Sequence, residues 1–208
     1  MAIINYATKE ISFKIVYYGA GVVGKTVNLQ SIHQRLPQDN RGNLISLATG
    51  DERTLFFDFL PVAAMSVRNF TAKFQLYTVP GQAYYNMTRK LVLRGVDGLV
   101  FVADSQWDRM HDNVESFRNL EENLKEYDLS LDHIPYVLQY NKRDLPGVAP
   151  REYLEFLLNR RAKRVPAFEA IAVEGRGVFE TLNTVARLVL VSGFAQERAE
   201  LQPARGGR

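Results

Sequence analysis

The chain has 208 residues, 46% of them hydrophobic and 24% charged, which fits one domain with a buried core or a domain with a tail. Its 26 Lys+Arg and 23 Asp+Glu leave a formal net charge of +3, so no broad nucleic-acid-binding face is expected. With no cysteine, disulfides, thiolate metal sites, prenylation and palmitoylation are excluded.

The second residue is Ala2, not glycine, so myristoylation is not indicated. No basic-then-apolar leader and no apolar run of bilayer length is visible, and the expectation is a cytoplasmic chain without a membrane anchor of its own. Residues 11–18 (ISFKIVYY) are rich in β-branched and aromatic side chains and read as a first strand. A glycine-rich turn follows. Then VNLQSIHQRL sets Leu29, Ile32 and Leu36 at helical spacing. Residues 37–50 are polar and read as a long loop. Residues 54–60 and 70–79 read as two strands joined by a turn at Asn69, an antiparallel pair at the sheet edge. In the second, Phe70, Ala72, Phe74 and Leu76 alternate with Thr71, Lys73, Gln75 and Tyr77, as a strand with two unlike faces requires.

Residues 98–103 and 134–140 are short apolar runs of the kind buried in a parallel sheet. Helices are expected at 111–127, at 150–160 with Pro150 in the first turn, and at 179–191, with a last strand at 167–173. The basic run Arg160, Arg161, Lys163 and Arg164 reads as a solvated helix end, with a contact to an acidic partner, phospholipid or RNA as the alternative. Residues 1–193 form the expected domain, and 194–208 a flexible tail. Strands alternating with helices imply a three-layer α/β fold whose ligands bind at the carboxyl ends of the strands.

Three motifs sit at such ends. Gly19-Ala-Gly21-Val22-Val23-Gly24-Lys25-Thr26 matches GxxxxGK[ST] in full. The glycines let successive N–H groups converge on phosphate oxygens, with the helix N-terminus behind them and Val27 beginning that helix. Lys25 serves the β- and γ-phosphates, and the Thr26 hydroxyl is a Mg²⁺ ligand. Asn141-Lys142-Arg143-Asp144 follows the strand at 134–140. Asp144 suits the two donors of guanine, which adenine lacks. Lys142 suits the base face, and Asn141 a tie to the phosphate loop. Thr78-Val-Pro80-Gly81-Gln82 follows the strand at 70–79. It has the form DxxGQ with threonine in place of the aspartate, so Gly81 is the γ-phosphate sensor and Gln82 orients the attacking water. Thr54 is the candidate second Mg²⁺ ligand, Arg53 a candidate arginine finger in cis, and Asp58 a weaker candidate for a nearby carboxylate.

On FKIVYYGAGVVGKT, DERTLFFDFLP, LYTVPGQ, GVDGLVFVADS, QYNKRDLP and GVFETL, the chain resembles the MglA family, bacterial Ras-like GTPases of gliding motility and cell polarity, over residues 3–192. The resemblance implies a P-loop small-GTPase fold, GTP/GDP and Mg²⁺ as ligands, and catalysis through Arg53 and Gln82. It also implies low intrinsic hydrolysis until a roadblock-fold homodimer of the MglB type binds, and polarity or cytoskeletal effectors. Thr78 is itself typical of that family. The aromatic residues Phe56, Phe57, Phe59, Tyr84 and Tyr85 are candidates for the partner surface. Ala170-Ile-Ala172 stands at the guanine-contacting SAK loop, leaving the Ala172 N–H for the base but no lysine. Two other readings remain: a GTP-bound scaffold that does not hydrolyse, and an ATP-using P-loop kinase, against which NKRD argues.

Overall fold

The computed structural model describes residues 3–48, 54–67, 70–82 and 85–200. Among the described residues, eight strands form one sheet: β1 (Ile3–Asn5), β2 (Glu10–Tyr18), β3 (Ile45–Ala48), β4 (Thr54–Val67), β5 (Phe70–Thr78), β6 (Gly98–Asp104), β7 (Tyr136–Asn141) and β8 (Ala167–Glu169). Their order is β3-β4-β5-β2-β6-β7-β8, with β1 antiparallel to the start of β2. The ladders from β5 through β2, β6 and β7 to β8 are parallel, while β3, β4 and β5 pair antiparallel. β1 finds room beside Glu10–Ser12 because β6 joins β2 only from Ile15 onward.

The helices are α1 (Lys25–Arg35), α2 (Asn86–Leu93), α3 (Met110–Lys125), α4 (Arg151–Leu158) and α5 (Val178–Glu200). They form the two outer layers. Alternation along β2 sends Phe13, Ile15 and Tyr17 into one core with Leu29 and Ile32 of α1 and Val178, Leu182, Val185 and Val189 of α5. Val16 and Tyr18 enter the other core, with Val92 and Leu93 of α2, Leu120 and Leu124 of α3, and Leu154 and Leu158 of α4. The four α5 side chains are each worth about 2 kcal/mol when buried, enough to dock the helix.

The three-layer architecture holds, and the structure refines several expectations. The region 37–50 is not all loop: Gln38–Asn40 make a 3₁₀ turn and β3 pairs with β4. The edge strand is therefore β3, and the expected pair, now β4 and β5, lies one place inward. β4 runs on to Val67, because Pro61 to Val67 keep pairing with β5. The helix α2 was not anticipated. Its exposed Met87 and Leu91 interrupt the apolar stripe that marks a helix in sequence. The stretch 167–173 divides into β8 and a 3₁₀ turn at Ala172–Glu174. α5 continues past residue 193 to Glu200. Its stretch Val178–Ala195 is long and apolar enough to cross a membrane by length and composition, against the expectation that no such run exists. Its stripe of Val178, Leu182, Val185 and Val189 on the sheet is that of a core helix. Arg53, Asn69, Tyr84 and the tail from Gln202 lie outside the described residues.

Candidate functional site

The phosphate loop joins β2 to α1. Its backbone is set by positive φ angles at Gly19 (145°), Val22 (65°) and Gly24 (99°). Gly24 caps α1, and a β-carbon there would stand 2.3 Å from Asn141 Nδ2. Glycine is thus required twice, by backbone conformation and by the close approach of a neighbouring loop. Lys25 is buried, and its ammonium donates to the carbonyls of Gly19 (2.9 Å) and Ala20 (2.6 Å). The loop's own carbonyls aim the charge over the cradle. Thr26 and Val27, in the first turn of α1, line the same cavity of about 430 Å³ with Gly21, Val22, Gly24, Val79, Gly81 and Gln82.

The loop after β7 is fastened to it. Asn141 donates from Nδ2 to the Val23 carbonyl (2.8 Å), and its Oδ1 accepts the Ala172 N–H (2.9 Å). One buried amide therefore holds three loops, as expected for the tie to the phosphate loop. The Ala172 N–H is occupied by this bond and here fastens the loop instead of standing open for a base. Val173, the next residue, is exposed. Lys142 has φ 63°, and its ammonium pairs with the buried Asp104 at 2.7 Å. That pair fixes the lysine stem. Arg143 turns away to Glu169 and to the Ala149 carbonyl, leaving Asp144 exposed at the rim. Among residues 141–144, only Asp144 keeps an open carboxylate.

On the switch side, Thr78 closes β5 and is fully buried, and Val79 N–H donates to the Tyr17 carbonyl. Gly81 rests on the phosphate loop. A β-carbon there would come within 2.3 Å of Gly21 Cα and 2.8 Å of the Ala20 carbonyl oxygen. Pro80 lies in the same turn, and Gln82 is half-buried. For Thr54 and Asp58 the backbone of β4 alone is described, opposite Ala48 and Ser46 of β3. Of the aromatic candidates, Phe59 packs on Tyr77 with ring centroids 4.8 Å apart, and Tyr85 is half-buried at the start of α2.

Two arginines that sequence reasoning missed also meet these loops. Arg109 donates to the Gly21 carbonyl (2.9 Å) while paired with Asp112 (2.7 Å). Arg89 donates to the carbonyls of Pro80 (2.9 Å) and Gly81 (2.6 Å). Nothing in the local sequence of either arginine marks it, since its partners are backbone carbonyls 8 to 88 positions away.

The glycine loop with its oriented ammonium and the loop after β7 are held together by one asparagine. Residues 2–189 match the model of the ADP-ribosylation factor (Arf) family. The chain belongs to this Arf/Ras-like family of small GTPases. It is 54% identical over 190 residues to the mutual gliding-motility protein MglA of Myxococcus xanthus (strain DK1622), covering 91% of this chain and 96% of that protein. The resemblance to MglA drawn from the motifs therefore stands. So does the α/β fold with its parallel sheet and antiparallel strands. Membership makes this a GTP-binding protein of the small-GTPase kind.

The residues present fit the expected ligands. The glycine loop offers its N–H groups and an oriented ammonium to a polyphosphate, and Thr26 offers a hydroxyl oxygen to a hard cation.

Proposed function

We propose that the chain is a nucleotide-controlled switch that binds GTP and GDP with Mg²⁺, hydrolyses GTP to GDP, and governs gliding motility or cell polarity through state-dependent partner binding. The observation that carries this reading is Asn141, which joins the phosphate loop at Val23 to the loop at Ala172 and so makes one site of phosphate and base recognition. In this site Gly19, Gly21, Val22, Val23, Gly24, Lys25, Thr26 and Val27 hold the phosphates. Asp144 and Lys142 hold guanine, with Ala172 supporting their loop. Thr26 and Thr54 would hold Mg²⁺, which when bound neutralises charge between the β- and γ-phosphates.

Thr78, Pro80 and Gly81 place Gln82 at the mouth of the cradle. Gln82 orients the attacking water, and Arg53 steadies the charge that develops on the transferred group. Thr78 has no carboxylate, and its hydroxyl only partly replaces one in the metal's outer shell, so the chemistry leans on Arg53 and Gln82. Intrinsic hydrolysis is therefore slow, and a roadblock-type homodimer of the MglB kind accelerates it by ordering Arg53 and Gln82. The chain acts in the cytoplasm and is recruited to cell poles, and polarity or cytoskeletal effectors read its GTP form.

Single-turnover hydrolysis of GTP, with and without such a homodimer, tests this. Slow turnover alone and faster turnover with the partner are expected, and Gln82→Leu abolishes the faster phase while leaving GTP bound. Bound GTP that is never cleaved in either case would sink the hydrolytic reading and leave a GTP-bound scaffold.

A further inference from the structure

Three charged side chains among the described residues are more than nine-tenths buried: Lys25, Arg89 and Asp104. Lys25 belongs to the phosphate cradle and Asp104 is neutralised by Lys142. Arg89 is different. No described carboxylate forms an ion pair with it, and each of its three nitrogens donates to a neutral acceptor. Nε donates to the Pro80 carbonyl at 2.9 Å, Nη2 to the Gly81 carbonyl at 2.6 Å, and Nη1 to Asn119 Oδ1 at 2.7 Å. The guanidinium also lies over the Tyr18 ring, 5.7 Å from its centroid. Burying an arginine without a counter-ion is expensive, and packing α2 against the sheet needs no charge. The cost is offset only by what the planar fork holds.

We infer that Arg89 is the positioning residue of the switch turn, clamping Pro80–Gly81 onto α3 so that the turn presents its N–H groups to the terminal phosphate. This rests on the reading of the site as a GTP/GDP switch. The peptide between Pro80 and Gly81 is planar and trans, so its N–H points opposite to its carbonyl. With the Pro80 carbonyl drawn to Arg89, the Gly81 N–H points away from the guanidinium. The Gly81 carbonyl on Nη2 turns the Gln82 N–H away in the same manner. Gly81 itself lies against Gly21 of the cradle. A cation on both carbonyls also polarises the two peptides and strengthens their N–H groups as donors.

The clamp is anchored away from the turn. Asn119 Oδ1 accepts the Tyr18 hydroxyl at 2.7 Å as well as Arg89, and Asn123 donates to the same hydroxyl at 2.9 Å. The chain of bonds therefore runs from the turn through Arg89 to α3 and β2. A cavity of about 320 Å³, lined by Gly21, Gly81, Arg89, Asn119 and the carboxylates Asp112 and Glu115, neither of which forms an ion pair with Arg89, opens beside it and leaves the turn space to swing out once released.

Arg89→Gln, Arg89→Lys and Asn119→Ala, in the full chain, test this by titration with fluorescent GDP and with a non-hydrolysable GTP analogue, alongside single-turnover hydrolysis. GDP touches neither Gly81 nor Gln82 N–H, so its Kd stays within about twofold of native. The GTP analogue loosens about tenfold in both Arg89 variants, because lysine keeps the charge but not the fork, and hydrolysis at saturating GTP slows by about the same factor. Asn119→Ala shifts the ratio of the two affinities in the same direction by about threefold. Equal loss for both nucleotides, or an unchanged ratio, would overturn the clamp. If Arg89→Gln does not fold, Asn119→Ala decides alone, and an unchanged ratio there overturns it. A native chain that binds both nucleotides without cleaving GTP refutes the hydrolytic reading, while the affinity ratio still judges the clamp.

Discussion

On the base side of the cleft, loops are fastened by side chains: Asn141 to Val23 and Ala172, Lys142 to Asp104, Arg143 to Glu169 and Ala149. The ladders beneath them, β2 to β6 and β6 to β7, are parallel and pair without a break in register. On the switch side the pairing is less regular. β4 shifts register against β3 between Ser46 and Ala48, and against β5 between Ala63 and Met65. The turn at Pro80–Gly81 is held by one arginine from the following helix. Bulged antiparallel ladders near an edge tolerate rearrangement more readily than a buried parallel core. A switch must retain its nucleotide in both states and change shape over one phosphate. The firmly bonded half lies under base and loop, and the half that can shift lies at the terminal phosphate.

The largest effect should come from the cradle common to both halves. Lys25→Ala removes the ammonium held over the loop by Gly19 and Ala20. Charge-assisted bonds to phosphate are worth roughly 2 kcal/mol each, so GDP, which keeps only the β-phosphate contact, should loosen by about thirtyfold and GTP, with both contacts, by about a thousandfold. Isothermal titration with each nucleotide measures this. A loss confined to GTP would break the contrast, because it would move the cradle to the switch side.

Asn141→Ala attacks the base side alone. It leaves the Val23 carbonyl and the Ala172 N–H without their shared partner, at a cost of about 3 kcal/mol in stability. Denaturant unfolding without nucleotide should show it, and GDP and GTP should weaken by similar factors. Gly81→Ala is the counterpart on the switch side. Its β-carbon would meet the Gly21 backbone at 2.3 Å and 2.6 Å, and backbone cannot step aside as a side-chain tip can. The turn must move out, so the GTP analogue should weaken about tenfold or more while GDP holds to within about twofold. Equal weakening of both nucleotides would mean that the two halves are not separable.

The base side was largely legible in the sequence because its chemistry is contiguous. GAGVVGKT and NKRD each carry their ligands within one turn of chain, directly after an apolar strand. The tie from Asn141 to Val23 spans 118 positions and was legible only because the NKRD motif carries it. The switch side was only half legible. TVPGQ announced Gly81 and Gln82, but the residue that holds them, Arg89, bonds carbonyls, and carbonyls have no sequence signature. α2 escaped notice because eight residues with exposed Met87 and Leu91 carry too short and too broken a stripe to signal a helix. β3 escaped because its mostly apolar run, Leu44 to Ala48, is only five residues long and sits between polar, Asn-, Asp- and Gly-bearing flanks that read as loop. The bond from Asn141 to the Ala172 N–H could not be read either, since it depends on two loops meeting in space.

The smallest expected effect concerns the strand between the two halves. β2 pairs with β5 toward the switches and with β6 toward the base. Its Tyr17 is fully buried, and among the described residues its hydroxyl has no hydrogen-bond partner. Burial pushes the Tyr17 phenol well above its ordinary value, and burial also raises Tyr18, Tyr77, Tyr136 and Tyr140. A phenol whose folded value is raised keeps its proton longer folded than unfolded. The folded state is therefore unpenalised below about pH 10, where free tyrosine titrates, and loses stability as pH rises above it. Tyr17→Phe removes an unserved hydroxyl without leaving a cavity, so it should raise stability by about 1 kcal/mol at neutral pH. It should also make the alkaline fall shallower. Thermal unfolding from pH 7 to pH 11 checks both. Because Tyr17 lies on the shared strand, the ratio of GDP to GTP affinity should not move. A moved ratio would show that the central strand takes part in the switch and does not merely divide its halves.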